Sequence, residues 1–341
     1  MIFRTQIRIP EEDWDKLRVL SSEIREICNN NQIETPENTL IYYMEWYIDS
    51  RQEMIRPSTY KRYKVFYHLL KRFEGFMLKR LYIDAVNADF INDFVSFGRE
   101  EEYSENTIYR TIHFVKTILN FVERKGIRTA VRELEIRREK QQKEVVTLTE
   151  EEIIKIKNTP VPEELQAAKD WLLISCYTGQ RFSDFMQFNT DQLKDINGKT
   201  CISFVQQKTK KKILLPLHPT VMDTLQKNNN EFPRCMTNQQ YNEQIKQIAK
   251  LAYLDELIKA RKRIGYRTRD VATKKWDIIS SHIGRRSFAT NFYGKIPTAL
   301  LMEATGHSTE QMFLKYINPI DNERILCLSS YFDKVHAERM R

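Results

Sequence analysis

Five cysteines are few for 341 residues, their number is odd, and no two form a C-x-x-C pair. Cys28, Cys176, Cys201, Cys235 and Cys327 therefore read as reduced thiols, without a disulfide framework or a zinc site. No stretch approaches the ~18 apolar residues of a membrane span. The amino-terminal stretch lacks the apolar centre of a secretory signal. A cytoplasmic protein with no membrane partner is expected. Internal repeats and low-complexity tracts are missing as well. No D-x-D group stands where the reactive residues collect, so no Mg²⁺ site is expected. No P-loop is visible to hold a nucleotide. The expectation is a protein without metal or cofactor.

What is present describes a globular chain. Hydrophobic residues make up 41%, and the length suggests two domains. The net charge of +9 suits a nucleic-acid partner. Charge alone does not single one out, since many basic proteins bind nothing anionic.

Residues 1–35 read as a short strand, Phe3 to Ile9, and a helix opened by Pro10 that fades at Asn29-Asn30-Asn31. Four helical patterns follow within 36–126. The first is capped by Thr35 and carries Ile41, Met44 and Ile48. The second starts at Pro57-Ser58 and carries Tyr63, Phe66, Leu70 and Phe73. The third follows Asn87, with Phe90, Ile91 and Phe94. Ser104 caps the fourth, which carries Ile108, Ile112, Val115 and Leu119. Together they form a small helical bundle. The charged stretch 127–145 reads as an interdomain linker, and 146–341 as a second domain. There Thr149-x-x-Glu152 is a capping box. Ala168 to Tyr177 reads as a buried helix ending at Thr178-Gly179, and Thr200 to Val205 and Ile213 to Leu217 as two strands. Beyond 218 the chain reads as mostly helical. The fold class is mainly α with a small antiparallel β-sheet, in two domains: a helical bundle and a mixed α+β unit.

The reactive residues stand in a fixed order. Arg181 follows the Gly179 break. His282 and Arg285 are three apart, on one face of a helix. Gly306-His307 ends the pattern Ala299 to Ala304, and Ser308 with Gln311 is the capping box of the next helix, which carries Tyr316. Any one of these, taken alone, is an ordinary surface, turn or core residue. As a set they suit one task, holding a phosphodiester in cationic donors while a phenol attacks it. Breaking that linkage without a metal requires an internal nucleophile, cations for the nonbridging oxygens and an acid for the departing 5′-oxygen. Arginine's planar, permanently charged fork suits the phosphate. Asp184, three residues after Arg181, is placed to steady it. Lys208 lies at the tip between the two strands, where a mobile lysine can protonate a leaving group. Lys210, Lys211 and Lys212 share that tip, and spacing does not choose among them.

The ordered set Arg181, Lys208, His282-x-x-Arg285, Gly306-His307, Tyr316 resembles the tyrosine recombinase (phage integrase) family. The resemblance covers 146–341, and the bundle at 36–126 is similar in size and helix count to that family's core DNA-binding domain. It implies that Tyr316 attacks the scissile phosphate to give a 3′-phosphotyrosine. Arg181, Arg285 and His307 would bind the phosphate, His282 assist proton transfer, and Lys208 protonate the leaving oxygen. Asp184 would support Arg181. It further implies a homo-tetramer on double-stranded DNA that works through a Holliday junction, needs no cofactor, and is compatible with accessory DNA-bending proteins. Expected DNA-facing charges in the bundle are Lys61, Arg62, Lys64, Arg110 and Lys116. Residues 1–35 would be a reduced arm-binding region or an ordinary extension. The tail, with Ile325, Leu326, Leu328, Tyr331 and Phe332, would form a short helix that docks on a neighbouring subunit or else covers its own domain. Alternatives are a type IB-like topoisomerase and a non-catalytic DNA-binding relative; an intact tyrosine argues against the second.

Overall fold

The computed structural model describes residues 36–136, 145–264 and 267–317, with Ser329 and Asp333. The strand and helix expected within 1–35 and the apolar tail helix lie outside the described residues. The chain divides into two compact units, Met1–Glu139 with Gly265–Thr268, and Lys140–Ile264 with Arg269–Arg341.

The first unit is a bundle of four helices: α1 (Leu40–Asp49), α2 (Pro57–Met77), α3 (Ala88–Glu100) and α4 (Glu105–Glu123). The cap of α1 is Thr39 rather than Thr35, its hydroxyl accepting from the Tyr42 N–H. Pro57 opens α2, where its missing N–H costs nothing. Asn87 caps α3, and Ser104 caps α4 by accepting from Thr107 N–H at 3.1 Å. On α4, Ile108, Ile112, Val115 and Leu119 recur at helical spacing and are fully buried. They share a core with Met44, Ile48, Leu70, Phe73 and Phe94. Residues 127–136, the start of the expected linker, carry Val131 and Leu134, which are buried in that same core.

The second unit is built around α6 (Glu163–Thr178), preceded by α5 (Glu150–Asn158). The capping box of α5 is formed in both directions, between Thr149 and Glu152. Trp171, Leu172 and Ile174 of α6 are fully buried. After the short α7 (Phe182–Phe185) comes a three-stranded antiparallel sheet in the order β1-β2-β3. Its strands are β1 (Leu193–Ile196), β2 (Lys199–Val205) and β3 (Lys212–Pro216). The register pairs Ile202 with Leu215 and Phe204 with Ile213, so all four apolar side chains turn to the core. Helices α8 (Pro219–Lys227) and α9 (Asn238–Leu251) follow and pack on α6.

Beyond 218 the described residues are mostly helical, as expected, but they include one hairpin that was not expected. A second, two-stranded sheet pairs β4 (Leu257–Ile264) with β5 (Arg267–Lys274). Then come α10 (Lys275–Ile278), α11 (Ile283–Phe292), α12 (Thr298–Thr305) and α13 (Glu310–Phe313). A 3-10 turn, Leu314–Tyr316, ends this run. Helix α11 packs along α6, while Phe288, Ala289, Leu301, Phe313 and Ile317 form a separate small core beneath the last turn. Among the described residues no helix is long and apolar enough to cross a membrane.

Candidate active site

Two helices of the second unit end on left-handed glycines, α6 at Gly179 (φ 65°) and α12 at Gly306 (φ 73°). A positive φ is cheap only for glycine, so each helix stops there and turns its last carbonyls outward. Arg285 occupies the space they share. It is 0% exposed, and its Nη1 donates to Gly179 O at 2.9 Å while Nη2 donates to Thr305 O at 2.9 Å. A cation at two helix carboxyl ends is favoured by both dipoles. This compensates part of the large cost of burying a guanidinium. Its Nε is buried without a hydrogen-bond partner among the described residues. A phosphate oxygen is the kind of acceptor it lacks.

Arg181 caps α7 directly after the Gly179 turn. Its Nη1 lies 3.8 Å from Asp184 Oδ2. That is an ion pair without a hydrogen bond. The Asp184 carboxylate instead accepts from the Gln207 N–H at 2.9 Å, tying it to the β2–β3 turn. Burial and the like charge of Arg181 push the Arg285 pKa down, opposed by Tyr316 and Asp184. The site thus carries more positive charge than Asp184 offsets, which is what an anionic ligand requires.

His307 is 7% exposed, touches Arg285 and feels the charge of Arg181. Arg285 Nη2 donates to its Nε2 at 3.0 Å, so that nitrogen is an acceptor. The proton then belongs on Nδ1, which donates to Thr305 Oγ1 at 2.8 Å, and that hydroxyl in turn donates to Leu301 O. Burial, then the charges of Arg285, Arg181 and Lys211, bring the imidazole pKa down to about 3. His307 is therefore neutral at physiological pH.

A stability effect follows. The unfolded chain takes up this proton near pH 6.5, the folded chain only near 3, so stability is full above 6.5 and falls as pH drops through that window. Between pH 7.5 and 5.0 the loss from this one group is about 2 kcal/mol. Urea denaturation at the two pH values measures it. His307→Gln should flatten the slope, and a variant that loses stability in parallel with the wild type would contradict the assignment.

His282 is the N-cap of α11 rather than an interior helical residue, with Arg285 in the first turn beyond it. His282 is exposed, yet desolvation by the surrounding protein and then the charges of Arg286, Arg285, Arg181 and Lys208 pull its pKa below the ordinary imidazole range. Tyr316 is half-buried. Its ring lies 5.0 Å from the His307 ring, and Arg285 Cζ stands 5.5 Å from the Tyr316 centroid. Thr290 Oγ1 donates to the Tyr316 carbonyl at 3.2 Å, pinning the turn to α11. Here two local readings change. The cap of α13 is Thr309, whose hydroxyl accepts from Met312 N–H, and not Ser308. Tyr316 lies on the 3-10 turn that follows α13, not on the helix itself.

Lys208 is exposed in the β2–β3 turn, with Lys210 at φ 58° two residues on. The sequence reading gave no role to Gln180 and Gln206. Both are 0% exposed, and Arg181 Nη1 donates to Gln206 Oε1 at 3.2 Å. Nothing in the string Gln206-Gln207-Lys208 marks the first glutamine as buried. In the bundle, Lys61, Arg62 and Arg110 are exposed. Lys64 is 3.8 Å from Asp49 and stacks over Tyr60 and Tyr67, and Lys116 donates to Leu134 O at 3.1 Å. Among the described residues no group of three or more His, Cys, Asp or Glu could hold a metal ion.

The fold and this cluster define a class with known relatives. Residues 39–131 match the phage integrase SAM-like domain, and residues 143–323 match the phage integrase family. The chain belongs to the phage integrase family, the tyrosine recombinases, and is a site-specific recombinase. No curated protein matches it in sequence. Solved structures share its fold at low identity. The Tn1549 transposon integrase in complex with transposon right end DNA superposes with a TM-score of 0.62 at 14% identity, covering 86% of this chain and 99% of that one. A lambda integrase tetramer bound to a Holliday junction gives 0.58 at 15%, covering 87% and 88%. The XerH site-specific recombinase bound to difH gives 0.56 at 17%, covering 92% and 89%.

Proposed function

We infer that this chain cuts and rejoins double-stranded DNA through a 3′-phosphotyrosine. Tyr316 Oη attacks the scissile phosphorus, the bond to O5′ breaks, and the phosphate remains on the tyrosine. The phosphodiester energy is kept in the new ester, so rejoining needs no nucleotide. Arg181 and Arg285 neutralise the nonbridging oxygens as charge builds. His282 handles the phenol proton, and Lys208 gives a proton to O5′. Asp184 restrains Arg181 and the turn that bears Lys208. One observation carries the reading: the half-buried Tyr316 ring packs against Arg285 and His307 in one cationic cluster. That Tyr316 shares this cluster with residues of its own chain supports cleavage within the subunit.

The bundle, as the core DNA-binding domain, would supply affinity through phosphate contacts. Exposed Lys61, Arg62 and Arg110 are ready for this, whereas Lys64 and Lys116 would first exchange their internal partners. Assembly as a homo-tetramer passing through a Holliday junction is proposed from the lambda integrase relative.

The test uses a duplex site recovered by binding selection and nicked near the cleavage position, so that cleavage is trapped. A denaturation-resistant adduct should form in the presence of EDTA, and peptide mapping should place the DNA on Tyr316. An adduct on another residue, or strict Mg²⁺ dependence of cleavage, would overturn the mechanism.

A further inference from the structure

Gln206 begins the turn between β2 and β3, and its side-chain amide is completely used. Oε1 accepts from Arg181 Nη1 at 3.2 Å and from Thr209 Oγ1 at 2.6 Å. Nε2 donates to Gln180 Oε1 at 3.0 Å and to Thr305 O at 3.0 Å. Two acceptor sites and two donors are all that a primary amide has. The pattern also fixes its orientation, since a flipped amide would turn its NH₂ toward the guanidinium.

The four bonds reach three separate segments. Gln180 and Arg181 belong to the turn after α6, Thr209 to the Lys208 turn, and Thr305 to the end of α12. Gln180 extends the link by donating to Thr178 O at 2.8 Å and Ala304 O at 2.7 Å. The Thr305 carbonyl is shared, for it also accepts from Arg285 Nη2 at 2.9 Å. The Gln206 backbone closes the lysine turn: its N–H donates to Lys211 O at 2.8 Å, and its carbonyl accepts from Lys210 N–H at 2.9 Å. The fit is close as well. A Cβ on Gly306 would come within 2.4 Å of Gln206 Oε1, so the α12 turn approaches the amide as only glycine permits.

An exposed lysine on a hairpin tip is a poor general acid unless its turn is held at a fixed place, because misplacement by about 1 Å costs large factors in rate. We propose that Gln206 is a positioning residue that fastens the Lys208 turn to Arg181 and, through the Thr305 carbonyl, to Arg285, so that proton donor and phosphate-binding arginines are set as one unit. This rests on the functional reading above, in which Lys208 protonates O5′.

The experiment compares single-turnover cleavage of an ordinary nicked site with that of the same site carrying a 5′-bridging phosphorothiolate. The sulfur leaves without a proton, so a defect in acid catalysis disappears on that substrate. Lys208→Ala serves as the reference, slow on the oxygen substrate and near wild type on the sulfur one. Gln206→Ala is expected to be slower by ~10-fold or more on the oxygen substrate, a fraction of the ~10²–10⁴ that a general acid supplies. Most of that loss should be recovered with sulfur, and site binding should stay within about threefold. If Gln206→Ala does not fold, Thr209→Val removes one hairpin bond from an exposed position and should show the same selective slowing, smaller in size. Equal slowing on both substrates, or none on either, overturns the proposal while leaving the functional reading intact. A wild-type protein that forms no adduct on either substrate removes both. Failure of sulfur to rescue Lys208→Ala removes the lysine's role and the proposal with it.

Discussion

Replacing Tyr316 by phenylalanine is expected to abolish covalent attachment to DNA while site binding persists. Only the phenol oxygen is lost. The ring keeps its place beside His307 and Arg285, and the turn stays pinned by Thr290 through the backbone carbonyl. The neighbouring hydroxyls of Thr290 and Thr305 are tied up as donors to the Tyr316 and Leu301 carbonyls. The signal to read is the denaturation-resistant band on a nicked substrate. It should fall below detection for Tyr316→Phe at a protein concentration that shifts all the DNA in a binding gel. A Phe variant that still forms the adduct would remove Tyr316 from the mechanism.

The second large effect concerns the arginines. Arg181→Ala and Arg285→Ala should each lower cleavage by at least ~10²-fold, the scale for removing one preorganised donor from a developing charge. Binding should change far less, because many other phosphate contacts remain. The two should differ in stability. Arg181 keeps a side chain 15% exposed, and losing it leaves the Asp184 carboxylate buried with its bond to Gln207 N–H. Arg285 is fully buried and donates to Gly179 O, Thr305 O and His307 Nε2, so Arg285→Ala leaves a cavity and unpaired acceptors at Gly179 O and His307 Nε2, while Thr305 O keeps its bond from Gln206. Its melting point should drop the more. Arg286 is the control. A crippling Arg286→Ala beside a mild Arg285→Ala would mean that the phosphate ligand lies one residue further along α11.

The helices of the bundle were legible because their signals are local. Pro57, Asn87 and Ser104 each act within one turn of their own position, and the apolar stripe on α4 repeats at helical spacing. The cluster of Arg181, Arg285, His307 and Tyr316 was visible only as an ordered set, since no local rule brings residues so far apart in the chain together. The β4–β5 hairpin was not seen because Leu257–Ile264 reads Leu-Ile-Lys-Ala-Arg-Lys-Arg-Ile, with no apolar–polar alternation. Two helix starts were misplaced because residue type does not choose among nearby caps: Thr35 and Ser308 are as good capping residues as Thr39 and Thr309, which hold those positions. Gln206 escaped because burial of an amide is decided by the three segments that converge on it.

The tautomer of His307 carries one more consequence. Its Nε2 accepts from Arg285 and its Nδ1 donates to Thr305 Oγ1, so both ring nitrogens are engaged within the fold. If the proposed function holds, a phosphodiester beside the arginines brings negative charge that would raise the proton affinity of this ring. On the proposed function, the same hydrogen bonds that hold the ring would make its proton affinity answer to the charge of the DNA.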